Sequence, residues 1–101
     1  MNISILGSTG SIGRQTVDVA LKKGWGIRVI SLEKNIKIGE EQIRLLRPDI
    51  CAVSDEKAAK ELKIAVADTD TRVLSGEEGI IEAASCHVDT VVNSIVGMAG
   101  L

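Results

Sequence analysis

Residues 7 to 13 read Gly7-Ser8-Thr9-Gly10-Ser11-Ile12-Gly13, and they stand between a short apolar run and a helical pattern. The run Ile3–Leu6 before them predicts a strand, and the apolar periodicity from Ser11 to Lys23 predicts a helix. The glycines follow a G-x-x-G-x-x-G spacing, with Thr9 at the position of the second glycine in a G-x-G-x-x-G dinucleotide fingerprint. A glycine-rich turn between a strand and a helix is a place where backbone N–H groups can hold a phosphate.

Each glycine in this turn has a predicted task. Gly7 permits the sharp turn at the strand end, Gly10 lets the backbone approach a pyrophosphate, and Gly13 lets the helix pack closely on the strand. Further donors are the hydroxyl groups of Ser8, Thr9 and Ser11. The alternative is a tight turn in which Ser11 caps the helix and no ligand binds. The strand–turn–helix context favours a nucleotide.

Strand and helix patterns alternate along the rest of the chain. Apolar, β-branched runs predict further strands at Ile27–Leu32, Ile50–Val53, Val73-Leu74 and Asp89–Val96. Helical patterns predict helices at about 36–47, from Ser54 or Asp55 to Leu62, and at about 75–84. This alternation is typical of an α/β, Rossmann-like domain with three layers and a mostly parallel sheet.

The composition agrees with that fold and excludes several classes of protein. The chain has 101 residues, enough for one domain at most, and 45% of them are hydrophobic. Phe and Tyr are absent, so the core must be aliphatic, as suits buried parallel strands. A net charge of −2 without stacking aromatics argues against nucleic acid as a partner. No apolar run reaches the roughly 18 residues of a membrane span, so no membrane association is expected.

Cysteine and other polar residues offer no metal or catalytic site. Cys51 and Cys86 predict reduced thiols in a cytoplasmic protein, and the first thirteen residues lack the basic region of a secretory signal. A disulfide between these two cysteines stays open. His87 beside Cys86, and the pair Asp68 and Asp70, are each too few ligands for a metal site.

The end of the predicted second strand bears on the choice of cofactor. Glu33 lies 20 residues after Gly13, where an acidic residue binds the 2′-hydroxyl of NAD. Lys34 and Asn35 follow, and this pair could hold the 2′-phosphate of NADP, although Asn35 is also well placed to cap the next helix. Spacing alone leaves both readings open. Arg14, in the first turn of the first helix, either reaches a phosphate or is an exposed charge.

The sequence resembles one enzyme family over essentially its whole length. The blocks Ile5–Gly13 and Thr16-Val17-Asp18-Val19 resemble the start of the 1-deoxy-D-xylulose 5-phosphate reductoisomerases. Further similar blocks follow in the same order: Arg28-Val29-Ile30, Lys34-Asn35, Val73-Leu74-Ser75-Gly76, and Ile95-Val96-Gly97 with Ala99-Gly100-Leu101. The run G-S-T-G-S-I-G is narrower than the generic glycine fingerprint, and the shared order makes chance similarity a poor explanation.

The resemblance implies an NADPH-dependent oxidoreductase of the non-mevalonate pathway of isoprenoid biosynthesis. Such an enzyme rearranges the phosphorylated sugar 1-deoxy-D-xylulose 5-phosphate and reduces it to 2-C-methyl-D-erythritol 4-phosphate, using Mg²⁺ or Mn²⁺. The resemblance places Thr9, Gly10, Ser11 and Ile12 at the phosphates, Lys34 and Asn35 at the 2′-phosphate, and Val96 and Gly97 beside the cofactor. Gly7 and Ser8 of the same turn complete the expected cofactor-binding residues. The family often has a glycine before the Lys-Asn pair, where this chain has Glu33.

Residues 1–101 are expected to form an incomplete N-terminal NADP(H)-binding domain. The family's Asn-Lys-Glu motif, acidic metal ligands, flexible flap and C-terminal domain do not appear in this sequence, so we expect no catalytic or metal-binding residue in it and no activity from it alone. The edge of such a truncated sheet would be exposed, which favours a homodimer. The alternatives are a stand-alone module that binds a dinucleotide without catalysis, and a structural piece that folds by pairing with its own copy.

Overall fold

One parallel sheet organises the part of the chain that the computed structural model describes, which comprises residues 1–76, 79 and 88–93. Its strands are β1 (Asn2–Leu6), β2 (Gly26–Leu32), β3 (Ile50–Val53), β4 (Arg72–Ser75) and β5 (Thr90–Asn93), and the helices are α1 (Ser11–Lys23), α2 (Ile36–Leu46) and α3 (Glu56–Ala65). The strand order is β4-β3-β2-β1-β5, and every pairing is parallel. The predicted α/β fold is confirmed.

Helices α1, α2 and α3 cover one face of this sheet. Each helix joins strands that step in one direction from β1 to β4, and right-handed connections place all three on the same side. The core beneath them is aliphatic and includes Ile3, Ile5, Val17, Ile30, Ile43 and Leu62. A smaller cluster of Val29, Ile50 and Ala52 packs with Leu74 apart from this core. Within the described residues, no helix is long and apolar enough to cross a membrane.

Local sequence signals explain where the helices begin and end. Helix α1 has the predicted bounds, and it ends at Gly24, whose φ of 72° lets its N–H reach the carbonyl groups of the last turn. Helix α2 ends one residue earlier than predicted, because Arg47 takes a left-handed conformation (φ 50°) directly before Pro48. Asp55, rather than Ser54, caps α3 by accepting hydrogen bonds from two backbone N–H groups.

Two elements are longer than the sequence patterns indicate. Helix α3 continues past Leu62 to Ala65, and the backbone N–H of Val66 donates to the carbonyl oxygen of Leu62 at 2.9 Å. Strand β4 extends over four residues rather than two, since pairing with β3 orders Arg72 and Ser75 as well. The predicted helix at about 75–84 lies mostly outside the described residues, and so do Cys86, His87 and the end of the predicted strand Asp89–Val96.

The turn between β1 and α1 brings helix and strand unusually close. A Cβ atom on Gly13 would lie 2.0 Å from the carbonyl oxygen of Gly7, a distance that no side chain can occupy. A Cβ atom on Gly10 would lie 3.7 Å from the same oxygen, which is an ordinary contact. Packing therefore requires glycine at position 13 but not at position 10.

We therefore expect Gly13→Ala to destabilise the protein by about 2 kcal/mol or more, in the range of costs for overpacking. The matched control, Gly10→Ala, should change the free energy of unfolding by less than ~0.5 kcal/mol, since its φ of −76° suits alanine. Urea unfolding of the two variants beside the wild type measures both values. Equal midpoints for the two variants would contradict the packing account.

Cys51 lies in the core as a free thiol with no exposed surface. Burial raises the pKa of this thiol to about 12, because the apolar surroundings disfavour the thiolate. The unfolded chain loses the proton near pH 8.5, whereas the folded chain retains it. The contribution of Cys51 to stability is therefore complete below about pH 8 and declines as the pH rises above it.

We expect the free energy of unfolding to fall more steeply between pH 8 and pH 10 in a Cys86→Ser chain than in a chain that also carries Cys51→Ala. Denaturant unfolding at several pH values measures the difference between the two slopes. Parallel slopes would show that Cys51 is not shielded from water.

Candidate dinucleotide-binding site

The glycine-rich turn lies where the direction of the sheet reverses. Strand β1 pairs with β2 on one side and with β5 on the other, and Leu6 at its end lies beside Ser31 and Asn93. The chain builds the sheet from β1 towards β4 and then returns to add β5. In open parallel sheets, the crevice at the carboxyl ends of the strands beside such a switch point is where ligands bind. The position of the turn therefore agrees with the sequence prediction.

Ser31, at the end of β2, holds the start of the turn. The backbone N–H of Gly7 donates to both the carbonyl oxygen and the Oγ of Ser31, each at 3.0 Å. The backbone N–H of Ser8 donates to the carbonyl oxygen of Ser31 at 2.9 Å, and the hydroxyl of Ser8 donates to the same oxygen at 3.3 Å. Gly7 has the positive φ of 81° that this turn needs. The hydroxyl of Ser8 is therefore buried and forms a hydrogen bond within the protein.

Gln42 of α2 holds the same turn from the other side. Its Nε2 donates to the carbonyl oxygen of Ser8 at 2.7 Å, and the residue is 6% exposed. Ser31 and Gln42 were not predicted as site residues, although both carry a signal. Each is a polar residue at a position where the strand or helix pattern calls for an apolar one. A buried polar side chain of this kind needs a partner.

The first turn of α1 presents free backbone donors. The N–H of Gly10 donates to the carbonyl oxygen of Gly7 at 3.3 Å, and the N–H of Arg14 closes the first helical turn on Gly10 at 2.9 Å. No described residue accepts a hydrogen bond from the N–H of Ser11 or Ile12, and both residues are exposed. Gly10 is the N-cap of α1 and no side chain caps the helix, so the predicted cap by Ser11 is wrong.

The charge around these donors suits an anion. The first turn of α1 contains no acidic residue, and Arg14 stands in it with an exposed side chain. The positive end of the helix dipole is therefore not neutralised by a neighbouring carboxylate. Thr9 is half-buried at the entrance of the turn. Backbone N–H groups at a helix start of this charge are an arrangement that suits a phosphate group.

The segment after β2 lies at the same edge of the sheet. Asn35 caps α2, as predicted, because its Oδ1 accepts from the N–H of Ile38 at 3.3 Å. This bond leaves the amide Nδ2 of Asn35 available as a donor. Lys34 and Glu33 are exposed, and neither forms an ion pair with another described residue. The lysine and the asparagine can therefore both reach a ligand that lies above the sheet edge.

The other predicted site residues are Val96 and Gly97, whereas the pair Asp68 and Asp70 is not predicted to bind a metal. Val96 and Gly97 lie outside the described residues. Asp68 lies at the opposite edge of the sheet, where it accepts two hydrogen bonds from Arg44 at 2.9 and 3.1 Å. The guanidinium group of Arg44 holds the pKa of the Asp68 carboxyl below its usual range. Among the described residues, no group of three or more His, Cys, Asp or Glu residues is placed to hold a metal ion.

Comparison with known proteins agrees with the resemblance inferred from the sequence. The family model of 1-deoxy-D-xylulose 5-phosphate reductoisomerase matches residues 3–101. The enzyme of that name from Agathobacter rectalis is 46% identical over 102 residues, covering 98% of this chain and 27% of the relative. The chain thus spans about a quarter of the length of the curated relatives that it matches.

Solved structures share the fold. A DOX-P reductoisomerase in complex with NADPH, fosmidomycin and magnesium is 32% identical, with a TM-score of 0.86 over 96% of this chain and 25% of that one. The Zymomonas mobilis enzyme in complex with NADPH has a TM-score of 0.89 over 95% of this chain and 26% of that one, and at 23% identity it supports the fold alone. Because the family model covers nearly every residue and the relatives agree with it, this chain belongs to the 1-deoxy-D-xylulose 5-phosphate reductoisomerase family.

Proposed function

We propose that this chain binds NADPH and that residues 1–101 act as the cofactor-binding part of an enzyme that converts 1-deoxy-D-xylulose 5-phosphate to 2-C-methyl-D-erythritol 4-phosphate. The observation that carries the proposal is that no described residue accepts a hydrogen bond from the N–H groups of Ser11 and Ile12, at a helix start without acidic residues. Phosphate groups are the ligands that such a helix start favours. Membership of the family and the NADPH bound to a solved relative at 32% identity support the choice of cofactor.

The pyrophosphate would lie against the turn between β1 and α1. The N–H groups of Ser11 and Ile12 would donate to it, with the hydroxyls of Thr9 and Ser11 beside them. Gly10 fits this role, because the fold itself would tolerate a side chain there and the open space is left for a ligand. Ser8 would act differently, because its buried hydroxyl donates to the carbonyl oxygen of Ser31. We infer that Ser8 shapes the turn rather than contacting the cofactor.

The 2′-phosphate would lie at Lys34 and Asn35. A lysine ammonium group and the free Nδ2 of Asn35 are suitable donors for a phosphate dianion. Glu33 is exposed, so its carboxylate can turn towards water and away from that phosphate. This is the reason why NADPH is proposed over NADH, although the spacing of Glu33 alone would suit NAD.

When bound, NADPH supplies a hydride to the substrate. The residues of this chain would bind and orient the cofactor. This chain matches about a quarter of the length of its relatives. We propose that binding of the sugar phosphate and of the Mg²⁺ or Mn²⁺ ion requires the remaining part of the enzyme. Val96 and Gly97 remain proposed backbone contacts beside the cofactor.

A stand-alone dinucleotide-binding module is the second candidate, since the site alone would serve it equally well. The two candidates differ in whether supplying the remaining domains of a relative restores turnover with NADPH. A homodimer, through an outer strand of the sheet, and a cytoplasmic location stay predictions. A monomeric elution volume on size-exclusion chromatography would contradict the dimer.

We expect the chain to bind NADPH more tightly than NADH, and Lys34→Ala to weaken NADPH binding by about 1–3 kcal/mol through loss of a charge-assisted hydrogen bond. NADH binding should not change in this variant. Lys60→Ala, an exposed lysine on α3, is the matched control and should leave both affinities unchanged. Fluorescence or calorimetric titration measures each dissociation constant. Equal affinity of the wild type for NADH and NADPH would overturn the assignment of Lys34 and Asn35.

A further inference from the structure

We propose that Gln42 is a positioning residue of the cofactor site, which fixes the turn so that its N–H groups face the pyrophosphate. This inference rests on the proposed binding of NADPH and adds a residue to it. Gln42 lies on α2, 34 positions along the chain from Ser8, and its Nε2 donates to the carbonyl oxygen of Ser8 at 2.7 Å. The side chain is buried, so this hydrogen bond is shielded from competition by water.

The Nε2 and Oε1 atoms of Gln42 have different surroundings, which fixes the orientation of its amide group. Its Oε1 is buried and has no hydrogen-bond partner among the described residues. A flipped amide would place Oε1 against the carbonyl oxygen of Ser8, and two acceptors would then face each other. An unpartnered buried acceptor costs about 1–3 kcal/mol, so an apolar side chain would serve packing alone at lower cost. The presence of glutamine at position 42 is therefore best explained by its hydrogen bond to the carbonyl oxygen of Ser8.

The bond determines which way the next N–H group points. The peptide bond between Ser8 and Thr9 is planar, and its carbonyl and N–H groups point in opposite directions when it is trans. Every described peptide bond is trans. Because Gln42 holds the Ser8 carbonyl inward, the N–H of Thr9 is held outward, and no described residue accepts a hydrogen bond from it. Thr9 then adds a third free donor to those of Ser11 and Ile12.

Helix α2 supports both of the proposed phosphate-binding regions. Asn35 at the start of α2 and Gln42 are seven residues apart, which is two helical turns on one face and about 10 Å along the axis. Gly39 lies between them, and a Cβ atom there would lie 2.8 Å from Leu32 Cδ2, so α2 packs closely on the end of β2. We infer that Gln42 serves the pyrophosphate region and Asn35 the 2′-phosphate region, each from one rigid helix.

The test compares Gln42→Leu with Gln15→Leu, the same change at an exposed position on α1. NADPH and 2′-AMP are titrated into each chain, since 2′-AMP carries the 2′-phosphate without the pyrophosphate. We expect Gln42→Leu to weaken NADPH binding at least tenfold and to change 2′-AMP binding less than twofold. Gln15→Leu should change neither. Circular dichroism establishes that each variant is folded before titration.

A second variant, Gln42→Glu, tests the direction of the bond. Its carboxylate would face the Ser8 carbonyl oxygen at neutral pH, whereas the protonated acid could donate to that oxygen. The NADPH affinity of Gln42→Glu relative to wild type should therefore recover as the pH falls from 8 to 5. The nearby charged groups are Arg14 and Asp18 on α1 and Glu41 on α2. They are present in both proteins, so the ratio removes their contribution.

The outcomes separate this inference from the proposed function. If the wild-type chain does not bind NADPH, both are overturned. If the wild type binds NADPH and Gln42→Leu binds it equally well, the role of Gln42 alone is overturned. Equal weakening of NADPH and 2′-AMP would also overturn it, because that result indicates a general loss of structure. Should Gln42→Leu not fold, a flat pH profile of the Gln42→Glu affinity ratio overturns the inference.

Discussion

The close approach of helix α1 to the end of strand β1 is the constraint on which the site depends. Gly13 makes it possible, because any side chain there would meet the carbonyl oxygen of Gly7. The approach sets the start of the helix directly above the strand end, where Gly7 turns the chain with a positive φ. The N–H groups of Ser11 and Ile12, from which no residue in the described part of the chain accepts a hydrogen bond, are then fixed at the switch point of the sheet. A longer connection would lose that fixed geometry.

Buried polar side chains in an otherwise aliphatic core hold the turn between β1 and α1. Four buried polar residues occur in the described part of the chain, and three of them, Ser8, Ser31 and Gln42, form the hydrogen bonds that hold it. Polar side chains are costly to bury without partners, so their concentration at one turn indicates a functional demand on its shape. The remainder of the described core is Ile, Val, Leu, Ala and one buried thiol, which suits a parallel sheet packed against helices.

Most of the described fold is predictable from local sequence patterns. The bounds of α1, the position of β3 and the cap at Asn35 follow from apolar periodicity and from capping chemistry. The length of β4 does not, because pairing with β3 orders residues that look like a loop. The sequence marks Ser31 and Gln42 as polar residues at apolar positions, but it does not assign their partners, which are 23 or more residues away in the chain. Spacing also left NAD and NADP unresolved.

The central claim is that NADPH phosphates bind to backbone N–H groups at the start of α1. Nuclear magnetic resonance of the ¹⁵N-labelled chain of 10.7 kDa, titrated with NADPH, tests it most directly. The account predicts that the amide signals of Thr9, Ser11 and Ile12 shift most, together with those of the segment that follows β2. Shifts confined to the opposite edge of the sheet, around Arg44 and Asp68, or no shifts at saturating NADPH, would contradict it.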